Sequence, residues 1–215
     1  MMFRDRFDAG ESVTKLLREF AGRPEVVVLA LPRGGVPVGY VVAQELKVPL
    51  DVFVVRKLGT PGQPELAMGA LASGGVRVLN RDVVDALAIP AQLIEEVTDQ
   101  EQVELERREK QYRGERASVD VTGKTVILVD DGLATGSTMR AAAGALRKAG
   151  AARIVIAVPV ASSATCEQLR AEGNEVVCAS MPEHFFAVGQ WYKNFEQTGD
   201  DEVRDLLERA VHSNR

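Results

Sequence analysis

Short apolar runs rich in Val and Ile recur along the chain, and segments with helical periodicity separate them. The runs predict strands at Val26–Leu31, Asp51–Val55, Thr125–Val129, Arg153–Val158 and Glu175–Cys178. Apolar runs of this length are typical of strands that are buried on both faces. The helical segments are Gly35–Leu46, Ser137–Ala149 and Ser163–Ala171. Repeated strand–helix–strand units predict an α/β fold, with a doubly wound, mainly parallel sheet and helices on both faces.

The segment from Pro90 to Arg116 departs from this alternation. It holds eight acidic and five basic residues at mostly helical spacing. The pattern favours a solvated helix with internal ion pairs, and a movable lid or an oligomer contact are the alternatives.

Aromatic and imidazole side chains gather in the tail that begins at Met181. His184, Phe185, Phe186, Trp191, Tyr192 and Phe195 fall within twelve residues, although Phe, Trp and Tyr make up only 5% of the chain. Such a cluster suggests a hydrophobic cover. We therefore expect a core at 1–180, with a charged helical insertion at about 80–117, and a cover segment at 181–215 packed on that core.

The composition is that of an ordinary soluble globular protein. Of the 215 residues, 46% are apolar and 27% are charged, and the formal net charge is −5. The negative sign disfavours nucleic-acid binding through a global basic field, although a local basic patch stays open. The two His and two Cys are too few for the usual zinc cage.

Two features bear on the cellular compartment. The N-terminus carries charges where a signal peptide would be apolar, and the longest apolar run, Val26–Pro32, is too short to span a bilayer. We expect a cytoplasmic protein with no membrane partner, in which Cys166 and Cys178 are reduced thiols.

The sequence VILVDDGLATGST, at 126–138, carries the strongest chemical signal. An apolar strand ends in Asp130 and Asp131, at the carboxyl end where open α/β sheets place their ligands. The Gly, Ser and Thr residues that follow lead into a helix, so backbone N–H groups and hydroxyls can converge on an anion such as phosphate. Two carboxylates beside a phosphate suit sugar hydroxyls or a hydrated Mg²⁺. The alternative is a turn at the acidic pair with Thr135 or Ser137 as helix cap.

This stretch resembles the phosphoribosyl pyrophosphate signature of the type I phosphoribosyltransferases, an apolar run followed by two acidic residues and a short loop containing Thr-Gly. The resemblance implies that family's fold, including a small hood over the site. It also implies that Asp130 and Asp131 bind the 2- and 3-hydroxyls of the ribose. The residues implied to bind the 5-phosphate are Ala134, Thr135, Gly136, Ser137 and Thr138.

A glycine pair follows the first predicted strand, in Leu31–Gly35. Two adjacent glycines let the backbone approach a ligand closely, and a plain turn is the alternative. In the family this position resembles the pyrophosphate loop, often with an unusual cis peptide bond. The resemblance therefore assigns Arg33, Gly34 and Gly35 to pyrophosphate.

The sequence RKLGTPG at 56–62 is similar to a stretch of the adenine phosphoribosyltransferases. Two cations at the carboxyl end of a strand can neutralise charge on a departing pyrophosphate, and the alternative is that they are simply solvated. We expect Arg56 and Lys57 to bind pyrophosphate. The expected catalytic residues are Lys57 and Arg33 for the departing charge and Asp131 for the ribose side.

The aromatic tail more loosely resembles the hood of the purine-salvage members. That resemblance implies that Phe186, Val188 and Trp191 bind the acceptor base, and packing in the core is the alternative. Ala134 stands where the 6-oxopurine enzymes have an Asp that assists proton transfer. A hypoxanthine or guanine acceptor is therefore disfavoured.

The implied reaction transfers the phosphoribosyl group to a nitrogenous, purine-like base and releases pyrophosphate. The cofactor is Mg²⁺, carried by the substrate with no direct protein ligand. Two alternatives stay open: a non-catalytic regulator or sensor that binds phosphoribosyl pyrophosphate or a nucleotide, and an enzyme acting on another phosphorylated sugar. The expected partners are small molecules, with no nucleic acid, and a homodimer stays open.

Overall fold

The computed structural model describes residues 1–213, which form eight strands and seven α-helices. The strands are β1 (Val26–Ala30), β2 (Leu50–Val52), β3 (Val55–Thr60), β4 (Gln63–Ala72), β5 (Val76–Leu79), β6 (Thr125–Val129), β7 (Arg153–Val160) and β8 (Glu175–Ser180). The helices are α1 (Arg6–Thr14), α2 (Gly35–Leu46), α3 (Arg81–Ala86), α4 (Ala91–Arg113), α5 (Ser137–Lys148), α6 (Ser163–Ala171) and α7 (Asp200–Ser213). Short 3-10 helices lie at Arg18–Phe20 and Val188–Trp191.

The central sheet is parallel throughout, in the order β2-β1-β6-β7-β8. One apolar cluster packs α1, α2, α4 and α7 against one face, and a second cluster packs α5 and α6 against the other. The predicted α/β fold is therefore confirmed. The chain winds outward in opposite directions from β1 and β6, so the loops after these two strands meet at a topological switch point.

A second sheet, antiparallel in the order β3-β4-β5, packs against α4 and α5. The sequence predicts one strand at Asp51–Val55, whereas β2 ends at Val52 and β3 begins at Val55. The reason lies in the hydrogen bonds. The N–H of Phe53 still donates to Ala30 O of the central sheet, at 2.9 Å, but the N–H of Val54 donates to Ser73 Oγ, at 2.8 Å. The chain leaves one sheet and enters the other at this point.

The charged segment forms α4, a helix of 23 residues. Internal ion pairs are present as predicted, and contacts with Arg107 and Arg108 lower the pKa of Glu104 to about 2. The helix is not wholly solvated, however, because Ile94, Leu105 and Tyr112 are buried. None of the helices in the described part of the chain is both long enough and apolar enough to cross a membrane.

The tail from Met181 has two different parts. Residues 181–199 form no long helix and run beside the N-terminal segment, where Phe3 forms a parallel bridge with Tyr192. Helix α7 then packs into the main core through Val203, Leu206, Leu207 and Ala210. The last two residues of the predicted cover segment, 214 and 215, lie outside the described residues.

Candidate functional site

The two acidic residues follow β6 directly and lie at the carboxyl edge of the central sheet. Oδ1 of Asp130 accepts a hydrogen bond from the N–H of Asp131, at 2.9 Å. Oδ2 of Asp131 accepts from Nε of Arg6, at 2.9 Å, and lies 2.8 Å from Nη2 of the same guanidinium. Burial and the charge of Asp131 raise the pKa of the Asp130 carboxyl well above its usual 3.8. Burial also raises the pKa of Asp131, although Arg6 opposes this shift.

The predicted glycine loop lies directly on this acidic pair. A Cβ at Gly34 would overlap Oδ2 of Asp131, and a Cβ at Gly35 would lie 2.8 Å from Val129 O and 3.0 Å from Asp130 Cα. A side chain at either position would therefore have to displace the loop or the acidic pair. The peptide bond between Pro32 and Arg33 is cis, as the family resemblance implies. Two motifs about a hundred residues apart in sequence are thus in contact.

The loop at 134–138 leads into α5 and presents several donors to solvent. Ala134, Thr135, Ser137 and Thr138 are exposed. The residue that caps α5 is Gly136, at φ 71°, rather than Thr135 or Ser137. Thr135 Oγ1 accepts a long bond of 3.4 Å from the N–H of Ser137 and shares a hydrogen bond of 3.2 Å with Ser137 Oγ. The α5 N-terminus and the neighbouring hydroxyls therefore present donors of the kind that bind anions.

Thr165, on α6, supports that loop and carries no signal in the sequence. Its Oγ1 donates to Ala134 O, at 2.9 Å, and accepts from Ser162 Oγ, at 2.8 Å. Its methyl group lies close to Gly136, where an added Cβ would be 2.9 Å from Thr165 Cγ2. The side chain is almost fully buried. It fixes the loop from beneath through one polar and one apolar contact.

Each of the three predicted pyrophosphate cations has a carboxylate partner. Arg33 Nη1 lies 3.8 Å from Asp200 Oδ1, Arg56 Nε lies 2.7 Å from Glu101 Oε2, and Lys57 Nζ lies 3.3 Å from Glu65 Oε2. The prediction that Arg56 and Lys57 follow the carboxyl end of a strand is wrong. They lie within β3, because the chain has already turned into the antiparallel sheet.

A cavity of about 510 Å³ lies between the antiparallel sheet and the start of α5. The polar residues of its lining are Lys57, Asn80, Ser137, Thr138 and Arg140. The rest is mostly apolar and includes Ala67 and Ala70 of β4, together with Val55, Val78, Leu79 and Ala141. The cavity brings a predicted pyrophosphate cation to the same space as two residues of the predicted phosphate loop.

The three predicted acceptor residues have different surroundings. Phe186 is 80% exposed, whereas Val188 fills the space above Gly132, 2.5 Å from where a Cβ would stand. Trp191 packs against Phe3 and its neighbours, and its Nε1 is buried without a hydrogen-bond partner within the described residues. Phe186 is therefore the most accessible of the three.

Two aromatic residues and one arginine complete the neighbourhood of the acidic pair. The hydroxyl of Tyr192 donates to Asp131 O, at 2.6 Å, and the guanidinium of Arg6 lies 4.1 Å from the ring centroid of Phe195. Tyr192 and Phe195 belong to the aromatic cluster that the sequence shows. Arg6 belongs to no sequence motif, and its partner Asp131 is 125 residues away in the sequence, so the sequence alone does not indicate this contact.

Comparison with known proteins links this arrangement to one family. A family model described as "phosphoribosyl transferase domain" matches residues 7–194. Two Mycobacterium tuberculosis proteins, each named "putative phosphoribosyl transferase", are 48% identical over 209 residues, which are 97% of this chain and 47% of theirs. The chain thus spans about half the length of these curated relatives.

Solved structures share the fold. The crystal structure of TT1426 from Thermus thermophilus superposes with a TM-score of 0.86 at 41% identity, covering 97% of this chain and 99% of that one. A hypothetical Neisseria gonorrhoeae protein with bound ppGpp matches with a TM-score of 0.50 at 14% identity, over 97% of this chain and 98% of that one. The second likeness concerns the fold alone.

Proposed function

The chain belongs to the phosphoribosyl transferase domain family, the type I phosphoribosyltransferases, and from this premise we propose that it binds phosphoribosyl pyrophosphate and transfers the phosphoribosyl group to a nitrogenous base. The contact of Gly34 and Gly35 with the acidic pair is the observation that carries the proposal. A loop suited to pyrophosphate, a pair suited to ribose hydroxyls and a loop suited to phosphate are then neighbours, in the order in which the substrate carries those groups.

In this proposal each part of the substrate has its own residues. Asp130 and Asp131 accept hydrogen bonds from the ribose 2- and 3-hydroxyls, and the loop at 134–138 binds the 5-phosphate with N–H groups and hydroxyls. Pyrophosphate lies against Gly34 and Gly35. Arg33, Arg56 and Lys57 supply its positive charge.

The chemical step breaks the bond between the anomeric carbon and a pyrophosphate oxygen, and forms a bond from that carbon to a nitrogen of the base. Where that nitrogen carries a proton, the proton passes to water. Positive charge grows on the ribose, and negative charge grows on the departing pyrophosphate. Arg33 and Lys57 stabilise the departing charge, and Asp131 stabilises the ribose side. Lys57 is available for this role because its partner Glu65 is 97% exposed, and ion pairs at such positions contribute little.

Mg²⁺ enters the proposal as part of the substrate. Among the described residues, no group of three or more His, Cys, Asp or Glu side chains could hold a metal ion. A cation carried by the substrate would neutralise charge on the departing pyrophosphate, beside Asp130 and Asp131. We place the reaction in the cytoplasm, with Cys166 and Cys178 as reduced thiols. A measurement of mass in solution tests whether the chain forms a homodimer.

The proposed acceptor is a purine-like base bound beside Phe186, Val188 and Trp191. The exposure of Phe186 favours stacking on an incoming ring, since an aromatic face that is already packed in the core has no room for one. Ala134 has no group that transfers a proton. An acceptor that needs no proton transfer from this position suits the site better than a 6-oxopurine.

Pyrophosphate release tests the proposal. Phosphoribosyl pyrophosphate with Mg²⁺ is offered with a panel of purines, pyrimidines and pyridine carboxylates, and at least one base should give turnover. Lys57→Met should lower that turnover by about 100-fold, since it removes charge stabilisation from the departing group. Lys15→Met, at the exposed end of α1, is the matched control and should change nothing. Turnover that Lys57→Met leaves intact would contradict the assigned role.

A sensor of the same sugar phosphate is the second candidate. The observation in its favour is that Arg33, Arg56 and Lys57 each have a carboxylate within 4 Å. These carboxylates compete with pyrophosphate for the cations. Binding of phosphoribosyl pyrophosphate without turnover on any base of the panel would favour the sensor over the enzyme.

A further inference from the structure

Arg6 makes several contacts beside the acidic pair. Its Nε donates to Oδ2 of Asp131, its Nη2 lies 2.8 Å from the same oxygen as an ion pair, and its Nη1 donates to Glu196 O, at 2.7 Å. The guanidinium lies over the ring of Phe195, and the side chain is only 11% exposed. An arginine with two hydrogen bonds, an ion pair and an aromatic contact is held in one position.

The surrounding backbone keeps Arg6 in place. Asp5 caps α1 by accepting from the N–H groups of Phe7 and Asp8. The N–H of Phe3 donates to Trp191 O, and the N–H of Lys193 donates to Phe3 O, each at 2.8 Å. The N-terminal segment is thereby joined to the tail on the side of the site.

Arg6 also lies next to the glycine loop. A Cβ at Gly34 would stand 3.3 Å from Arg6 Nε as well as against Asp131. The guanidinium therefore lies where the proposed ribose and pyrophosphate sites meet. Residue 6 lies just before the segment 7–194 that the family model matches.

Building on the proposed function, we propose that Arg6 is a positioning residue of the ribose site and the resident counter-cation of Asp131. Both of its contacts go to Oδ2, which leaves Oδ1 to accept a hydrogen bond from a ribose hydroxyl. With Arg6 in place, the negative charge of ionised Asp131 is neutralised. A sugar phosphate can then bind without a metal ion at the ribose.

The effect of Arg6 should depend on Asp131, and a double-mutant cycle measures that dependence. Binding of ribose 5-phosphate is measured by isothermal titration in EDTA, so that no divalent cation replaces the guanidinium. Arg6→Met should weaken binding at least tenfold in the native chain, and less than twofold when Asp131→Asn is already present. Arg4→Met should change binding less than twofold, because Arg4 is exposed and pairs with Asp8.

The affinity for inorganic phosphate is the second measurement, because in the proposed function this ion binds only the loop at 134–138. Its affinity should stay within twofold in Arg6→Met. If Arg6→Met does not fold, Arg6→Lys takes its place with the same criterion, since lysine lacks the planar fork.

The inference is overturned if the Arg6→Met chain binds ribose 5-phosphate as tightly as the Arg4→Met chain does. It is also overturned if Arg6→Met weakens that binding by the same factor with Asp131 as with Asp131→Asn, or if Arg6→Met abolishes binding of inorganic phosphate. A native chain that binds neither ribose 5-phosphate nor phosphoribosyl pyrophosphate with Mg²⁺ would instead contradict the proposed function.

Discussion

Gly34 and Asp131 are so close that a methyl group on the glycine would overlap the Oδ2 atom of the carboxylate. The backbone of Gly34 is in the ordinary helical region, at φ −60° and ψ −31°, so the constraint is one of space and not of conformation. Gly34→Ala must therefore displace either the loop or Asp131. We expect titration of phosphoribosyl pyrophosphate with Mg²⁺ to show at least a tenfold loss of affinity, which corresponds to about 1.4 kcal/mol.

Gly144→Ala is the matched control for this substitution. Gly144 lies inside α5, and the nearest atoms to an added Cβ are 3.8 Å away, an ordinary contact. Replacing glycine by alanine in a helix should raise the free energy of unfolding by about 0.5–1 kcal/mol. Affinity should not change. Equal affinity in the Gly34→Ala and Gly144→Ala chains would mean that the glycine loop is not part of the site.

The second prediction concerns Thr165, whose hydroxyl donates to Ala134 O. Thr165→Val keeps the shape and removes the donor, so the phosphate loop loses one hydrogen bond worth about 1 kcal/mol. We expect binding of inorganic phosphate, measured by titration, to weaken about fivefold. Thr165→Ser keeps the hydroxyl and should stay within twofold of the native chain. A loss in the serine variant as large as in the valine variant would show that the hydroxyl is not responsible.

The third prediction concerns the stability of the chain and its pH dependence. Because burial and Asp131 raise the pKa of Asp130 above its usual 3.8, the folded chain binds more protons than the unfolded chain between those two values. The free energy of unfolding therefore falls as the pH rises through that window. Asp130→Asn removes the free-energy cost of ionising this buried carboxyl beside Asp131. The substitution should therefore raise the melting temperature at pH 7, by about 2–4 °C for each kcal/mol relieved. A variant that melts below the native chain at pH 7 would contradict the predicted sign.

The fourth prediction separates stability from function. Asp51 accepts from Nε of Arg113, at 2.8 and 3.0 Å to its two oxygens, and both side chains are buried. Arg113→Met leaves a buried carboxylate unpaired and should lower the free energy of unfolding by about 3–5 kcal/mol, measured by chemical denaturation. Arg107→Met, on the exposed face of the same helix, should change it by less than about 0.5 kcal/mol. Affinity for phosphoribosyl pyrophosphate in the folded Arg113→Met chain should be unchanged, since the pair lies outside the site.

The parallel sheet could be predicted because its strands are buried on both faces and read as continuous apolar runs. The antiparallel sheet could not, because β4 begins with exposed Gln63, Pro64 and Glu65 and has no such run. The sequence pattern of helix α7 is weaker than that of the aromatic cluster before it. Its buried positions, Val203, Leu206, Leu207 and Ala210, nevertheless have helical spacing.

Some residues of the candidate site could likewise be predicted from the sequence, and others could not. Asp130, Asp131 and the glycine loop are local motifs at strand ends, so their meeting at the sheet edge follows from the topology of parallel strands. Arg6 and Thr165 instead reach the site by hydrogen bonds to residues that are 125 and 31 positions away in the sequence. No spacing rule connects such pairs, and only the packing of α1 and α6 brings them to the site.

Binding of phosphoribosyl pyrophosphate is the central claim, and isothermal titration with Mg²⁺ tests it most directly. The native chain should bind, and Asp130→Asn combined with Asp131→Asn should weaken binding at least tenfold, about 1.4 kcal/mol. Asp82→Asn combined with Asp85→Asn, two exposed carboxylates of α3, makes the same change of charge and should leave the affinity within twofold. A native chain that does not bind, or the same affinity in both double variants, would contradict the account.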